Sequence, residues 1–284
     1  MKKLMCVVLA GAVIMGACAC NKKDSRRDSG RDSGRDSVRD DSAVVQDDDD
    51  DGSAIENFRL ENRGTMIIGL SDIGKTKETI TLPAGYEISG DLRGGVVKHV
   101  YFESDDDIEL WSFFCNNETL ETVELPANMT KMCYISSCPA LKEITIPKGV
   151  TRIPTTCFSL DESLETVTIL GDVTEIEPLA FRDCKSLRYI NLPDSLTEVG
   201  RKAFYGCKNL EELTLPKNLK VVGDMAFADI GLKVVTVPEE MELEKWDTAA
   251  FIQKEPYTVR VKEGSWADEN FERVFAGPAV KEYY

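Results

Sequence analysis

Residues 69–76 read GLSDIGKT and satisfy letter by letter the phosphate-binding pattern G-x-x-x-x-G-K-[ST]. In such a loop the backbone N–H groups cradle phosphates, Lys75 would reach the terminal phosphates and Thr76 would hold Mg²⁺. That chemistry needs a strand before the loop and a helix after it. Other chemistry-bearing residues are sparse. The chain has a single histidine, His99, so any Ser-His-Asp or Cys-His system must use it. No nucleophile elbow accompanies it, and no histidine–cysteine cluster has zinc spacing. Carboxylates are abundant, but acid–base work needs them around a closed pocket, and in so acidic a chain most are solvated. The expectation is a non-enzymatic protein without cofactor or metal.

The elements that position these residues follow from composition first. With 284 residues, 42% of them hydrophobic, the chain can build a sizeable core. Its 34 basic and 50 acidic side chains give a net charge of −16. Nucleic-acid affinity comes largely from basic groups displacing counterions, so DNA and RNA are excluded as partners.

The start, MKKLMCVVLAGAVIMGACAC, places Lys2 and Lys3 ahead of an apolar run from Leu4 to Met15. This is an export signal, too short for the roughly 20 residues of a spanning helix. Met15-Gly16-Ala17-Cys18 resembles a bacterial lipobox, which makes 1–17 the signal and Cys18 the lipid attachment site, with Cys20 the competing anchor. Lipidation would place the mature chain outside the cytoplasm, at the outer membrane or cell surface, held to the membrane through its N-terminal lipid. Residues 18–52 carry RDSG-type repeats and a polyaspartate run with almost nothing to bury, and read as a disordered tether.

Beyond the tether the chain repeats itself. Segments 140–159, 186–207 and 209–230 share L-x-x-I-x-L-P-x-x-L-x-x-V-G-x-x-A-F-x-x-C with variation. Leu141, Leu164, Leu187 and Leu210 are 23 apart, as are Phe158, Phe181, Phe204 and Phe227. Pro147, Pro193 and Pro216 keep the same step, with Leu170 in the remaining proline slot. A chain that returns to the same chemistry at a fixed short period is coiling, each coil burying its apolar positions against the next. The motif resembles the BspA-type leucine-rich repeat over about residues 65–262, most strongly from Pro147 to Pro238. The fold expected is a mainly β leucine-rich-repeat solenoid over 53–262, with parallel sheet and a short C-terminal cap over 263–284. The resemblance implies adhesion or binding to a host protein.

Within each unit an alternating segment such as Leu187–Leu192 is a strand with one face inward, and proline then ends it because it lacks an N–H. In this register GLSDIGKT superposes on the bend of later units: Leu70, Ile73 and Gly74 fall on Leu196, Val199 and Gly200. The next alternating strand, Glu78 to Leu82, follows where a phosphate loop needs a helix. Nucleotide binding is set aside on that ground. Of the nine cysteines, Cys115, Cys138, Cys184 and Cys207 lie on the 23-residue lattice, whose other slots hold Asp161 and Ile230. Such a slot suits a small buried apolar residue, and a free-thiol ladder is expected, with bonded neighbours as the alternative.

Outward strand positions form two rows, and threonine dominates one of them, as β-propensity alone would favour. The outliers are the aromatic groups His99, Tyr101 and Tyr189, flanked by Glu124, Glu143 and Glu212. These six are the candidate ligand-binding residues, suited to a basic protein surface or to a glycan stacking on tyrosine. At the end, 257–261 is expected to be the last strand, with a helix capped by Ser265 covering its edge. Three functions remain: adhesion through a protein ligand on a host matrix or neighbouring cell, a structural envelope role with a bacterial partner, and a glycan-binding accessory role.

Overall fold

The computed structural model describes residues 55–275 and 277–284. The export signal, Cys18, Cys20 and the tether lie outside the described residues. The chain opens with β1 (Phe58–Glu61), β2 (Met66–Leu70), β3 (Thr79–Leu82), β4 (Glu87–Asp91) and β5 (His99–Phe102). It continues through β6 (Thr122–Val123), β7 (Glu143–Ile146), β8 (Arg152–Ile153), β9 (Thr166–Ile169), β10 (Glu175–Ile176) and β11 (Tyr189–Ile190). Then come β12 (Glu198–Val199), β13 (Glu212–Thr214), β14 (Val221–Val222), β15 (Val234–Thr236), β16 (Lys245–Trp246) and β17 (Tyr257–Val261). Two short helices, α1 (Trp266–Glu269) and α2 (Phe271–Val274), precede β18 (Ala279–Tyr283).

These strands form a parallel-sheet solenoid. One side, the strand face, carries β3, β5, β6, β7, β9, β11, β13, β15, β17 and β18 in chain order. A second side carries β8, β10, β12, β14 and β16 as one unbroken parallel ladder. The short antiparallel pair of β1 with β2 and the parallel pair of β2 with β4 close the N-terminal end.

The reason for the coil lies in its interior. Phe158, Phe181, Phe204, Phe227 and Phe251 stack nearly parallel, with ring centroids 5.1, 5.2, 5.3 and 5.2 Å apart. That spacing nearly equals the roughly 4.8 Å between paired strands, so rings and backbone share one repeat. The first four also donate their N–H to the carbonyl of the residue before the next ring, as Phe181 does to Ala203 at 2.8 Å. Leu170, standing in the proline slot, donates its N–H to Ile146 O at 3.0 Å, the bond that Pro147, Pro193 and Pro216 forgo.

Charge also marks the register. The residues entering the strand-face strands alternate in sign: Glu78, Lys98, Glu121, Lys142, Glu165, Arg188, Glu211, Lys233. Lys98 pairs with Glu78 at 2.8 Å and Lys233 with Glu211 at 2.6 Å. A slip by one coil would juxtapose like charges, although each exposed pair stabilises only weakly.

Four expectations change in detail. Leu70 and Gly74 are buried as Leu196 and Gly200 are, but Ile73 is 49% exposed where Val199 and Val222 are buried, so GLSDIGKT departs from the bend register at that position. It forms instead the end of β2 and a single 3-10 turn, Gly74–Thr76, against Asn57. Nor is β17 the last strand, because β18 pairs along its whole length. The helices cap the interior: Phe271 and Phe275 continue the ring stack from Phe251, and Ser265 caps α1 by accepting from Asp268 N–H. Finally, the cysteine slot is not purely apolar.

The six described cysteines are free. Cys184 and Cys207 donate their thiols to the carbonyls of Phe158 and Phe181 at 3.0 and 3.2 Å, and Gln253 donates its amide to Phe227 O in the same way. Burial pushes these thiols up, Cys133 to about 12, which makes them poor nucleophiles. Asp161 fills the same slot. Its Oδ1 accepts from Cys138 N–H at 2.7 Å, as Gln253 Oε1 accepts from Ile230 N–H, but its Oδ2 has no partner. Burial pushes the Asp161 carboxyl well above the usual range, only partly offset by that N–H.

A carboxyl raised in the fold stabilises below its unfolded pKa of about 3.9, and that contribution is lost as pH rises through the folded value. Asp161→Asn should therefore stabilise the protein at pH 7–8 and not at pH 4, as read by denaturant midpoints across pH. Leu160 is 41% exposed and holds φ +69°, in the slot that Gly206 occupies two coils on. Relief of left-handed strain makes Leu160→Gly stabilising by about 1 kcal/mol, measurable as a rise in Tm.

Candidate functional site

Outward side chains on the strand face come from alternation: Ile144, Val167 and Val235 point into the core, so the residues beside them point out. The six candidate residues all lie on this face, and they fall into two groups. His99, Tyr101, Glu124 and Glu143 line one recess of about 1010 Å³ with Lys148 and Asn128. Tyr189 and Glu212 line a second, of about 770 Å³, with Arg188, Asn191, Asp194 and Thr214.

Both recesses sit where the strand-face ladder is interrupted, between β6 and β7 and between β11 and β13. The inward residue that ends the strand before each break, Leu125 or Leu192, is only partly buried, while Ile146, Ile169 and Leu215 in the same slot are buried. The breaks differ in depth. At the first, Lys142 N–H still reaches Glu121 O at 3.3 Å and the two side chains stay paired at 3.8 Å. At the second, no backbone hydrogen bond joins 188–192 to 211–215 among the described residues.

Within the first recess His99 is half-buried, and its Nδ1 lies 2.9 Å from Thr122 Oγ1. Glu124 and Glu143 are exposed acceptors beside Tyr101, in a recess whose lining also takes in Leu125, Ile144 and Leu170. In the second, Tyr189 is 56% exposed and presents its ring to solvent. Asn191, next to the buried Ile190 and so on the outward side of the alternation, turns sideways. Its Oδ1 accepts from Ile169 N–H at 2.7 Å and its Nδ2 donates to Ile169 O at 2.8 Å. The side-chain amide thus replaces the backbone of its own strand against β9, and it supplies the N–H that Pro193 lacks.

Sequence reasoning missed a third feature. Trp111 is 67% exposed beside a mainly apolar groove of about 340 Å³ with Met132, Tyr134 and Pro154. It lies in the degenerate N-terminal coils, where no register marked it as outward. Around the phosphate-loop pattern, Lys75 Nζ is paired with Asp72 at 3.2 Å and Thr76 Oγ1 donates to Ile73 O at 2.8 Å. Both groups that would meet a nucleotide are turned to their own loop. Among the described residues no cluster of three or more His, Cys, Asp or Glu could hold a metal, and no helix is long and apolar enough to cross a membrane.

Stacked parallel coils with a ruled outer sheet define the molecule as a leucine-rich-repeat solenoid, a class whose arrays typically serve as binding scaffolds. The family model described as BspA type leucine rich repeat region matches in six copies over residues 98–159 and 130–257, together more than half of the chain. The chain belongs to the BspA-type leucine-rich-repeat family. No curated protein sequence matches significantly.

Solved structures similar in fold include a leucine-rich repeat protein from Bacteroides ovatus ATCC 8483, at 18% identity and TM-score 0.45, covering 73% of this chain and 66% of that one. The pneumococcal vaccine antigen PcpA matches at 20% identity and TM-score 0.41, covering 72% and 68%. A leucine-rich repeat protein of T. pallidum matches at 19% identity and TM-score 0.39, covering 80% and 95%. The chain thus spans just under two thirds of the first of these.

Asn191→Ala would leave the Ile169 N–H and C=O without their partner. A buried unsatisfied pair of this kind costs about 1–3 kcal/mol. Urea denaturation should show that loss, and Thr168→Ala on the same face should be nearly neutral.

Proposed function

We propose that this protein is a lipid-anchored, extracytoplasmic binding module, non-enzymatic and without cofactor, that takes a protein ligand on the strand face. The observation that carries the reading is the gathering of His99, Tyr101, Glu124 and Glu143 into one recess, and of Tyr189 and Glu212 into another, on one face of a rigid stack. Exposed aromatic groups supply anchoring area, and flanking carboxylates favour a basic partner surface. Membership of the BspA-type family supports surface attachment and adhesion, with Cys18 as lipid site and 18–52 as spacer. A glycan is the second reading, favoured by the exposed Tyr189 ring.

Pull-down from matrix proteins and neighbouring cells with the chain from Ser53 onward should capture a protein ligand. Its binding should fall at least about tenfold with Tyr101→Ala plus Glu124→Lys, the scale of an interface anchor. Equal capture by that variant, or selective glycan-array binding lost on Tyr189→Ala, would turn the reading to sugar recognition. Metabolic labelling with a clickable palmitate analogue should disappear in Cys18→Ala and persist in Cys20→Ala. The reverse pattern would move the anchor to Cys20.

A further inference from the structure

The break between β11 and β13 is local. On either side of it the coils stay in contact: Phe181, Phe204 and Phe227 keep their 5.2 and 5.3 Å stacking, and β12 pairs with β14 in register. Only the strand face parts, and it parts at one link of the alternating charge row. Arg188 N–H bonds to Glu165 O at 2.9 Å and Lys233 N–H to Glu211 O at 2.7 Å, whereas Glu211 N–H does not bond to Arg188 O.

In a parallel ladder successive backbone groups point alternately to the two neighbouring strands. The pattern set by the intact links turns Ile190 N–H and C=O, with Arg188 C=O, toward the gap from one side. It turns Glu212 and Thr214 N–H toward it from the other. The floor is closed, since Ile190 and Leu213 remain buried. On its other edge β11 stays paired with β9, and just past it the Asn191 side chain bonds Ile169 N–H and C=O.

The charges in the gap are also incomplete. Asp194 is paired with Lys217 at 2.9 Å and Glu211 with Lys233. Arg188 on one wall and Glu212 on the other have no ion-pair partner among the described residues. Two parallel strand edges with unmet main-chain groups, separated by a polar recess of about 770 Å³ and carrying one free cation and one free anion, match one kind of occupant.

We propose that the β11–β13 gap is a main-chain recognition site for an extended polypeptide segment of a partner protein. The segment lies along the recess and hydrogen-bonds to the open strand edges. A basic side chain of the segment meets Glu212, an acidic one meets Arg188, and Tyr189 covers the peptide from the outside. This rests on the protein-ligand reading above and narrows it to a segment in β conformation, with affinity from backbone and specificity from two charges.

The first test needs no ligand. In hydrogen exchange by NMR on the full mature chain in detergent, the amides of Glu212 and Thr214 should exchange at least about 100-fold faster than those of Thr166 and Thr168, their laddered counterparts. Equal protection would mean that the gap is closed and would overturn the proposal.

The second test selects nine-residue peptides from a random phage-displayed library on the same protein. Selected peptides should carry both charge signs. They should lose at least about tenfold in binding when alternate backbone amides are N-methylated with side chains unchanged. Arg188→Glu combined with Glu212→Arg should shift selection to peptides with the two charges exchanged.

Whatever binding a Tyr189→Cys, Glu212→Cys pair keeps through the main chain when reduced should be abolished on oxidation across the gap. Failure to select peptides, or selected binding that ignores N-methylation and the charge exchange, would refute the site. If a ligand captured on the strand face still binds the oxidised double-cysteine protein, the gap is not its site while the broader face reading stands.

Discussion

From Phe158 to Phe251 each ring inside this protein packs on its own counterpart one coil away. That condition ties two lengths together, because the stacking distance of the interior groups must equal the spacing of the strands that carry them. The phenylalanine row meets it with centroids 5.1–5.3 Å apart, close to the separation of hydrogen-bonded strands. A residue too large or too small in one slot is felt by both neighbouring coils, so the slots keep their chemistry along the chain. The polar exceptions obey the same geometry: Gln253 and Asp161 each accept the N–H of the slot one coil earlier.

A stack held from within leaves its surface free to vary. At the β11–β13 break the second side stays laddered and the ring row continues, and at the β6–β7 break Ile135 and Ser137 N–H still bond to Cys157 and Ser159 O, so the strand face can lose its pairing at two places without parting the coils. Leu125 and Leu192 record the cost as partial exposure. What is gained is relief on an otherwise flat lattice. Recesses lined by aromatic and charged groups arise by opening the ladder.

How much could be read beforehand follows from the same physics. The 23-residue return of Leu141, Phe158 and their counterparts is a one-dimensional signature of stacking, so coil length, the inward slots and the strand face were readable from Pro147 to Pro238. The signature weakens where the period drifts: its register puts Ile73 in a core slot although that side chain stands in solvent, and nothing in the degenerate coils marks Trp111 as outward. The sign alternation from Glu78 to Lys233 was present in the letters but has meaning only once those residues are known to lie side by side.

Sequence alone determined the solenoid, its acidic character and the residue types offered to a partner, because a repeated interior demands a repeated pattern. Only the tertiary structure decided which outward residues share a recess, that Asn191 replaces backbone with side chain, and that β18 rather than β17 ends the sheet. Those outcomes hang on whether a particular pair of adjacent strands closes its hydrogen bonds. A difference of one proline N–H or one amide rotamer settles that, and the periodicity of the letters is the same either way.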